Sequence, residues 1–168
     1  MWAAERGHEG VVRVFLEREG VYPNQAHSVY APTALWYAAQ YGREGIVKML
    51  LERQDVNPNQ IPTGYPCTPL SIATFGWRVG VVKMFLERQD VNPDIAATND
   101  GRTPLSDAAV RVEGIVKMLL ERNDIRIDIR DHKKKTAVSW ALSWGHHKIA
   151  RMISERAEKK SDTADPGN

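Results

Sequence analysis

Cysteine is nearly missing from this chain of 168 residues, and the single Cys67 cannot form an internal disulfide. Packing and hydrogen bonds must therefore hold the fold, as expected in a reducing compartment. Long apolar runs are missing too. No stretch approaches the roughly 20 apolar residues needed to span a bilayer, and the opening MWAAERGHEG lacks the apolar centre of a signal peptide. A charge excess is also lacking: Lys and Arg total 23 against 21 Asp and Glu, a formal charge of +2, and the two halves of the chain carry equal shares of it. That balance speaks against a strongly cationic nucleic-acid binder and against an acidic tail protein. These absences together favour an intracellular, cytoplasmic protein without membrane attachment. What is present is an ordinary globular mixture, 42% hydrophobic and 26% charged, which excludes wholesale disorder.

The chain repeats itself. GVVRVFLER, starting at Gly10, returns as GIVKMLLER at 45–53, GVVKMFLER at 80–88 and GIVKMLLER at 114–122, then in degenerate form as KIARMISER at 148–156. The starts are 35, 35, 34 and 34 residues apart. A second segment keeps step with it: TALWYAA from Thr33, TPLSIAT from Thr68, TPLSDAA from Thr103 and TAVSWAL from Thr136. Both segments read as short helices. In the second, Ile46, Val47, Met49 and Leu50 form an apolar stripe, while Lys48, Glu52 and Arg53 fall mostly on the other side. Thr opens the first helix as N-cap, with Pro at N1 in two repeats. Gly7, Gly42 and Gly145 lie between the two helices, where a left-handed residue is wanted. The links at 20–31, 55–66 and 90–101 are polar and rich in Pro and Asn, too short for another helix, and suit projecting hairpin-like loops.

A helix–turn–helix–loop unit of 33 to 35 residues with Thr-Pro-Leu at 68–70 and 103–105, Gly-His at 7–8 and 145–146, and Asp-Val-Asn at 55–57 and 90–92 resembles the ankyrin repeat. The expected fold is an all-α ankyrin-repeat solenoid with long inter-repeat loops over residues 1–157. It divides into a partial repeat at 1–22, repeats at 23–57, 58–92 and 93–126, and a C-terminal capping repeat at 127–157; a disordered tail is expected at 158–168. Two departures stand out: the loops are longer than the family's common form, and serine replaces the usual histidine at Ser71, Ser106 and Ser139. That variant, with LLER-x-DVN, is similar to the fungal ankyrin arrays of immune-receptor-like signalling proteins. The first repeat lacks its Thr-Pro-Leu head, so apolar surface is expected at the N-terminal end.

The resemblance implies a protein or peptide partner, either a separate molecule or another domain of the parent chain, held by the concave face of loop tips and first helices. By register, Tyr30, Tyr65, Asp100 and Lys133 stand at the loop tips and Arg102 follows one of them. Gln40, Tyr41, Phe75, Arg111 and Trp144 stand at the exposed ends of the first helices. Aromatic and arginine side chains are the types enriched at binding hot spots. Tyr30, Tyr41, Tyr65 and Phe75 are expected to form a semi-continuous strip, giving way to a basic half at Arg102, Arg111 and Lys133 to Lys135.

Other chemistry finds less support. Asp107 replaces apolar or aromatic register partners, Tyr37, Ile72 and Trp140, and needs a partner if buried. Arg111, four residues on, is the expected one. Asp107, Arg111 and Trp144 are the residues an enzyme or small-molecule binder would use. The loop 126–135, with Arg126, Arg130 and three lysines, is the weaker candidate for nucleic acid, diluted by Asp128 and Asp131. His8, His27, His132, His146 and His147 lack metal-ligand spacing. There is no phosphate-cradling glycine loop and no nucleophile elbow, and Cys67 has no histidine in its repeat to activate it. No catalytic role, no cofactor and no metal are therefore expected.

Overall fold

The computed structural model describes residues 1–18, 20–26 and 31–164. Every regular element among them is a helix, and the helices come in pairs: α1 (Trp2–Arg6) with α2 (Glu9–Leu16), α3 (Ala34–Gln40) with α4 (Glu44–Leu51), α5 (Pro69–Phe75) with α6 (Val79–Glu87), α7 (Pro104–Ala109) with α8 (Glu113–Glu121), and α9 (Ala137–Ser143) with α10 (His147–Ala164). The first helices of the pairs stack in one row and the second helices in another. This is the all-α repeat solenoid that the period implies. None of the described helices is long and apolar enough to cross a membrane.

Local chemistry starts each first helix. Thr33, Thr68, Thr103 and Thr136 are extended, and their hydroxyl oxygens accept from the backbone N–H three residues on, at Trp36, Ser71, Ser106 and Ser139. The serines found in place of histidine have a role here. Each serine hydroxyl pairs with the capping threonine hydroxyl, at 3.0 Å for Thr68 and Ser71, 3.3 Å for Thr103 and Ser106, and 3.1 Å for Thr136 and Ser139. Ala4, Ala38, Ala73, Ala108 and Ala141 are completely buried between the rows, which permits the close approach of neighbouring first helices. At the turn to the second helix Gly7, Gly42 and Gly145 are left-handed, with φ of 82°, 68° and 74°. Trp77 takes the same position with φ 56°, a conformation that a bulky residue adopts only at a cost of about 1–3 kcal/mol.

The junctions between pairs are stapled by arginine. The last carbonyls of a helix have no partner within it and carry the negative end of its dipole. In each junction an arginine from the next unit supplies the missing donor. Arg53 Nη1 donates to Leu16 O (2.8 Å), Arg88 Nη1 to Leu51 O (2.9 Å), Arg122 Nη1 to Leu86 O (3.1 Å) and Arg156 Nε to Leu120 O (3.2 Å). The first three guanidiniums are clamped in turn by the aspartate two residues on: Asp55, Asp90 and Asp124 each take Nε and Nη2 on their two carboxylate oxygens. These pairings hold the carboxyls of Asp55 and Asp90 below their usual range. Asparagine completes the seam. Asn24 donates to Asp55 O and accepts from Asn57 N–H (2.7 Å), and Asn59 repeats the pattern with Asp90 O (2.7 Å) and Asn92 N–H (2.8 Å). The turn between paired helices has its own tie. Arg43 Nε donates to Glu5 O and Arg78 Nε to Gln40 O, whereas His8 stands beside Trp2, ring centroids 5.0 Å apart.

The ends differ. Phe15 is 53% exposed, while its register equivalents Leu50 and Phe85 are 1% and 0% exposed, so the first pair bares the surface that every later pair buries. At the other end α10 runs on to Ala164, so 158–164 are helical rather than the disordered tail expected from composition. The segment AEKK contains good helix formers, and the first breaker, Pro166, comes later; residues 165–168 lie outside the described residues.

Arg122, which also reaches Arg88 O and Val91 O, is the most heavily used staple. Arg122→Ala is expected to lower stability by about 2–4 kcal/mol in denaturant unfolding, because three carbonyls, two of them in buried contacts, lose their donor. Arg18, whose guanidinium lies 5.8 Å from the Phe15 ring on the bare end, should tolerate alanine within about 0.5 kcal/mol. Hydrogen exchange should show α2 opening at least about tenfold faster than α6 and α8, because it has a neighbour on one side only.

Candidate partner-binding face

The stacking brings the loops and the C-terminal ends of the first helices into two parallel lines. Neighbouring loops are tied together. Thr98 N–H donates to Pro66 O (2.7 Å) and His132 N–H to Asp100 O (2.9 Å), while Ala97 N–H to Arg102 O (2.8 Å) and Asp131 N–H to Lys135 O (3.0 Å) close the individual loops. The loops are thus preorganised rather than free arms.

Along the helix ends the aromatic side chains divide. Tyr41 is exposed, Phe75 is 67% exposed and Trp144 is 63% exposed, as register implies. Gln40 is half-buried and its carbonyl takes Arg78. Tyr65 does not extend the strip as a free anchor. It is half-buried against Trp36, centroids 4.8 Å apart and tilted edge-on, and belongs to a small cluster with Trp36, Cys67 and Ala97. Trp36 in turn donates its indole N–H to Cys67 O (3.0 Å). The extra loop length is what creates this second core, and Tyr65 covers it. Tyr30 lies outside the described residues.

The Asp107 expectation needs correction. Its partner is Arg102, with Nη2 at 3.1 Å from the carboxylate, and not Arg111. The turn of this repeat is one residue short, α7 ends at Ala109, and Arg111 swings out over the Trp77 ring of the preceding unit at 4.3 Å. Arg102 is only 16% exposed at its side chain. It donates to Ser106 O (3.0 Å), lies over Trp140 (4.4 Å), and its Nε is buried without an acceptor. Arg102 is therefore mainly an internal brace. Asp100 is likewise half-buried, accepting from Arg102 N–H at 3.0 Å.

Burial pushes the Asp107 carboxyl up to about 6, with Arg102 opposing and Asp100 adding to the rise. Burial also pushes the Cys67 thiol up to about 11, helped by the charges of Asp107 and Asp100 against the hydrogen bond from Trp36. A protonated, buried thiol is a poor nucleophile. Asp131 behaves oppositely. Its own burial works against the charge, but N–H donors from Lys135 and Lys133, the Trp140 indole and the charge of Arg102 hold its carboxyl below the usual range.

The basic loop surrounds one ring. Lys133 and Lys135 place their ammonium groups 5.9 and 4.6 Å from the Trp140 ring, while Arg130 reaches back to Lys134 O. Asp131, buried beneath, is fully occupied by the loop. Among the described residues no three His, Cys, Asp or Glu side chains gather into a group that could hold a metal ion.

A family model for ankyrin repeats, three copies, matches residues 1–61 and 70–164. The chain belongs to the ankyrin-repeat family. Ankyrin repeats generally serve as protein–protein interaction modules, and proteins built from them are typically non-enzymatic scaffolds. No curated protein matches the chain.

Within this ankyrin array two positions, exposed Trp77 and half-buried Trp140, escape a residue-type reading. Trp77 stands where three of the other four turns carry glycine, so its signal was an aromatic residue in a left-handed slot of the repeat. Trp140 gathers three cations over one ring, which no spacing rule announces, because two of them come from the loop and one from the preceding unit.

Asp107 yields a signed prediction. A carboxyl raised in the folded state favours the neutral form, so its contribution to stability is highest below about pH 4, falls as pH rises to about 6, and is flat above. Asp107→Asn, which mimics the neutral form, should stabilise the ankyrin array by about 2–3 kcal/mol at pH 7.5, with the gain vanishing near pH 4. Urea unfolding across that pH range is the measurement.

Proposed function

We propose that this ankyrin array is a non-enzymatic scaffold that binds a protein or peptide through its concave face of loop tips and first-helix ends. The carrying observation is the set Tyr41, Phe75 and Trp144, exposed at the C-terminal ends of α3, α5 and α9, with Trp77 exposed in the turn after α5. Apart from exposed Val79 and Leu142, the other large apolar groups of α3 to α9 are largely withdrawn into the two cores. Large aromatic groups with few rotors, mounted on rigid helices, bury much area at little entropic cost. Trp77 adds a further argument, since it holds a strained backbone position that glycine occupies in other repeats, and such strain accompanies functional positions.

Tyr41, Phe75, Trp77 and Trp144 act as anchors in this reading, and Arg111, Lys133 and Lys135 set orientation at the rim. The partner is a separate protein or another domain of the parent chain. The resemblance of the LLER-x-DVN variant to fungal immune-receptor-like arrays supports a signalling role in this reading, as a ligand-sensing or autoinhibitory segment of an intracellular protein. The strained Trp77 and the cation-ringed Trp140 favour peptide side chains over nucleic acid, because the lysines are spread around one ring instead of along a stripe.

A pull-down from the source organism's extract tests the reading, comparing the wild-type chain with Tyr41→Ala, Trp77→Gly, Trp144→Ala combined. Glycine at 77 keeps the left-handed turn, so folding is retained. Recovery of a specific partner should fall at least about tenfold, as expected for loss of interface anchors; equal recovery of that partner by both forms sinks the concave-face assignment.

A further inference from the structure

One cavity on this face has a chemistry that the aromatic line does not use. Between the third and fourth helix pairs a cleft of about 170 Å³ is walled by Pro66, Ile72, Phe75, Asp100, Arg102 and Asp107. That volume is room for about six waters at their liquid spacing of about 30 Å³ each, which suits one long side chain. The walls are apolar at the mouth, where Phe75 stands exposed, and acidic within.

The charge balance inside is unequal. Two carboxylates, Asp100 and Asp107, line the cleft with one guanidinium; Asp100 accepts only from the Arg102 backbone N–H, and the guanidinium is divided among Ser106 O, the Trp140 ring and Asp107. Asp107 is 12% exposed at its side chain, has this one ionic contact at 3.1 Å, and receives no hydrogen bond from any described residue. A carboxylate so desolvated and so incompletely compensated is a standing electrostatic cost that a second cation would relieve. Cys67 stands on the same wall, its thiol raised first by burial and then by the charges of both aspartates. The position is particular to this repeat, since the register equivalents Tyr37, Ile72 and Trp140 carry no acid.

We infer that this cleft is a pocket for the basic side chain, lysine or arginine, of the partner polypeptide, with Asp107 and Asp100 taking the charged head and Ile72, Pro66 and Phe75 covering the aliphatic stem. The inference rests on the scaffold reading and names the chemistry of one partner residue. Phe75 adds an aromatic face to the cation's approach. The basic residues Arg111, Lys133 and Lys135 flank the pocket along the face, so a partner segment with a basic residue beside acidic neighbours matches the whole surface better than a uniformly charged one.

Small probes isolate the pocket from the rest of the interface. The 15N-labelled full chain is titrated with Nα-acetyl-lysine methylamide, Nα-acetyl-arginine methylamide and the neutral Nα-acetyl-norleucine methylamide. The expected result is saturable amide shifts at Ile72, Phe75 and Asp107 with the cationic probes in the millimolar range, at least about tenfold tighter than with norleucine. The response should be lost in Asp107→Asn and weakened in Phe75→Ala, both variants retaining the wild-type spectrum elsewhere. Equal shifts with the neutral probe, no saturable shift, or undiminished binding by Asp107→Asn overturns the pocket. Such a failure leaves the scaffold reading to its own pull-down, whose variant touches none of the pocket residues. Conversely, a pocket that binds the probes while the pull-down fails separates a working cation site from a wrong concave-face assignment.

Discussion

The arginine staple across each helix-pair junction is the interaction on which the rest of the structure depends. A single pair has about eight residues in its second helix and cannot bury its own apolar stripe. Stacking supplies the apolar burial, but stacking alone leaves helix-terminal carbonyls facing the next unit without donors. Arg53, Arg88 and Arg122 answer that need, and the aspartate two residues on fixes each fork in the geometry that reaches back. Their exposed carboxylates make these poor stabilisers as ion pairs in isolation. Their value lies in presenting a charged, preoriented donor to a buried carbonyl.

With the rows held in register, every repeat position becomes a line across the molecule. One line is glycine in the inter-helix turn, broken by Trp77. Another is the inward face of the first helices, where Tyr37, Ile72, Asp107 and Trp140 follow one another. The exceptional members of these lines gather around the third and fourth pairs. Trp77 sits under Arg111, Asp107 pairs with Arg102, and Arg102 covers Trp140. The one-residue deletion after α7 joins them, because it releases Arg111 from the helix face and leaves Asp107 to the loop arginine. An array that is regular for stability is thus irregular at its centre, where a scaffold meets its partner.

Much of the fold was legible in the residues. The period, the Thr caps, the left-handed glycines and the apolar stripe are all local signals with local causes, and Leu35, Leu70 and Leu105 behind their caps are buried as the pattern demands. The candidate site was legible only in part. Tyr41, Phe75 and Trp144 stand exposed at their register positions, but Tyr65 is drawn into a second small core by Trp36, and Arg102 into a brace by Asp107. Both are loop residues with partners far along the chain, Trp36 for Tyr65 and, beside Asp107, Trp140 of the next repeat for Arg102, and residue type says nothing about which of two faces a loop side chain will choose.

The sequence by itself determined the helix pairs, their caps and their stacking order, because these follow from periodicity and backbone chemistry within one repeat and are then copied along the chain. Only the tertiary structure decided which cation meets which anion. LER-x-D looks from its sequence like a solvated charge run, yet its arginine spans a junction, because the carbonyl that needs it belongs to the preceding repeat. Asp107 has Arg111 within helical reach and takes Arg102 instead, because the shortened turn moves one and the closed loop delivers the other. Pairing across units depends on positions in space that no single repeat contains.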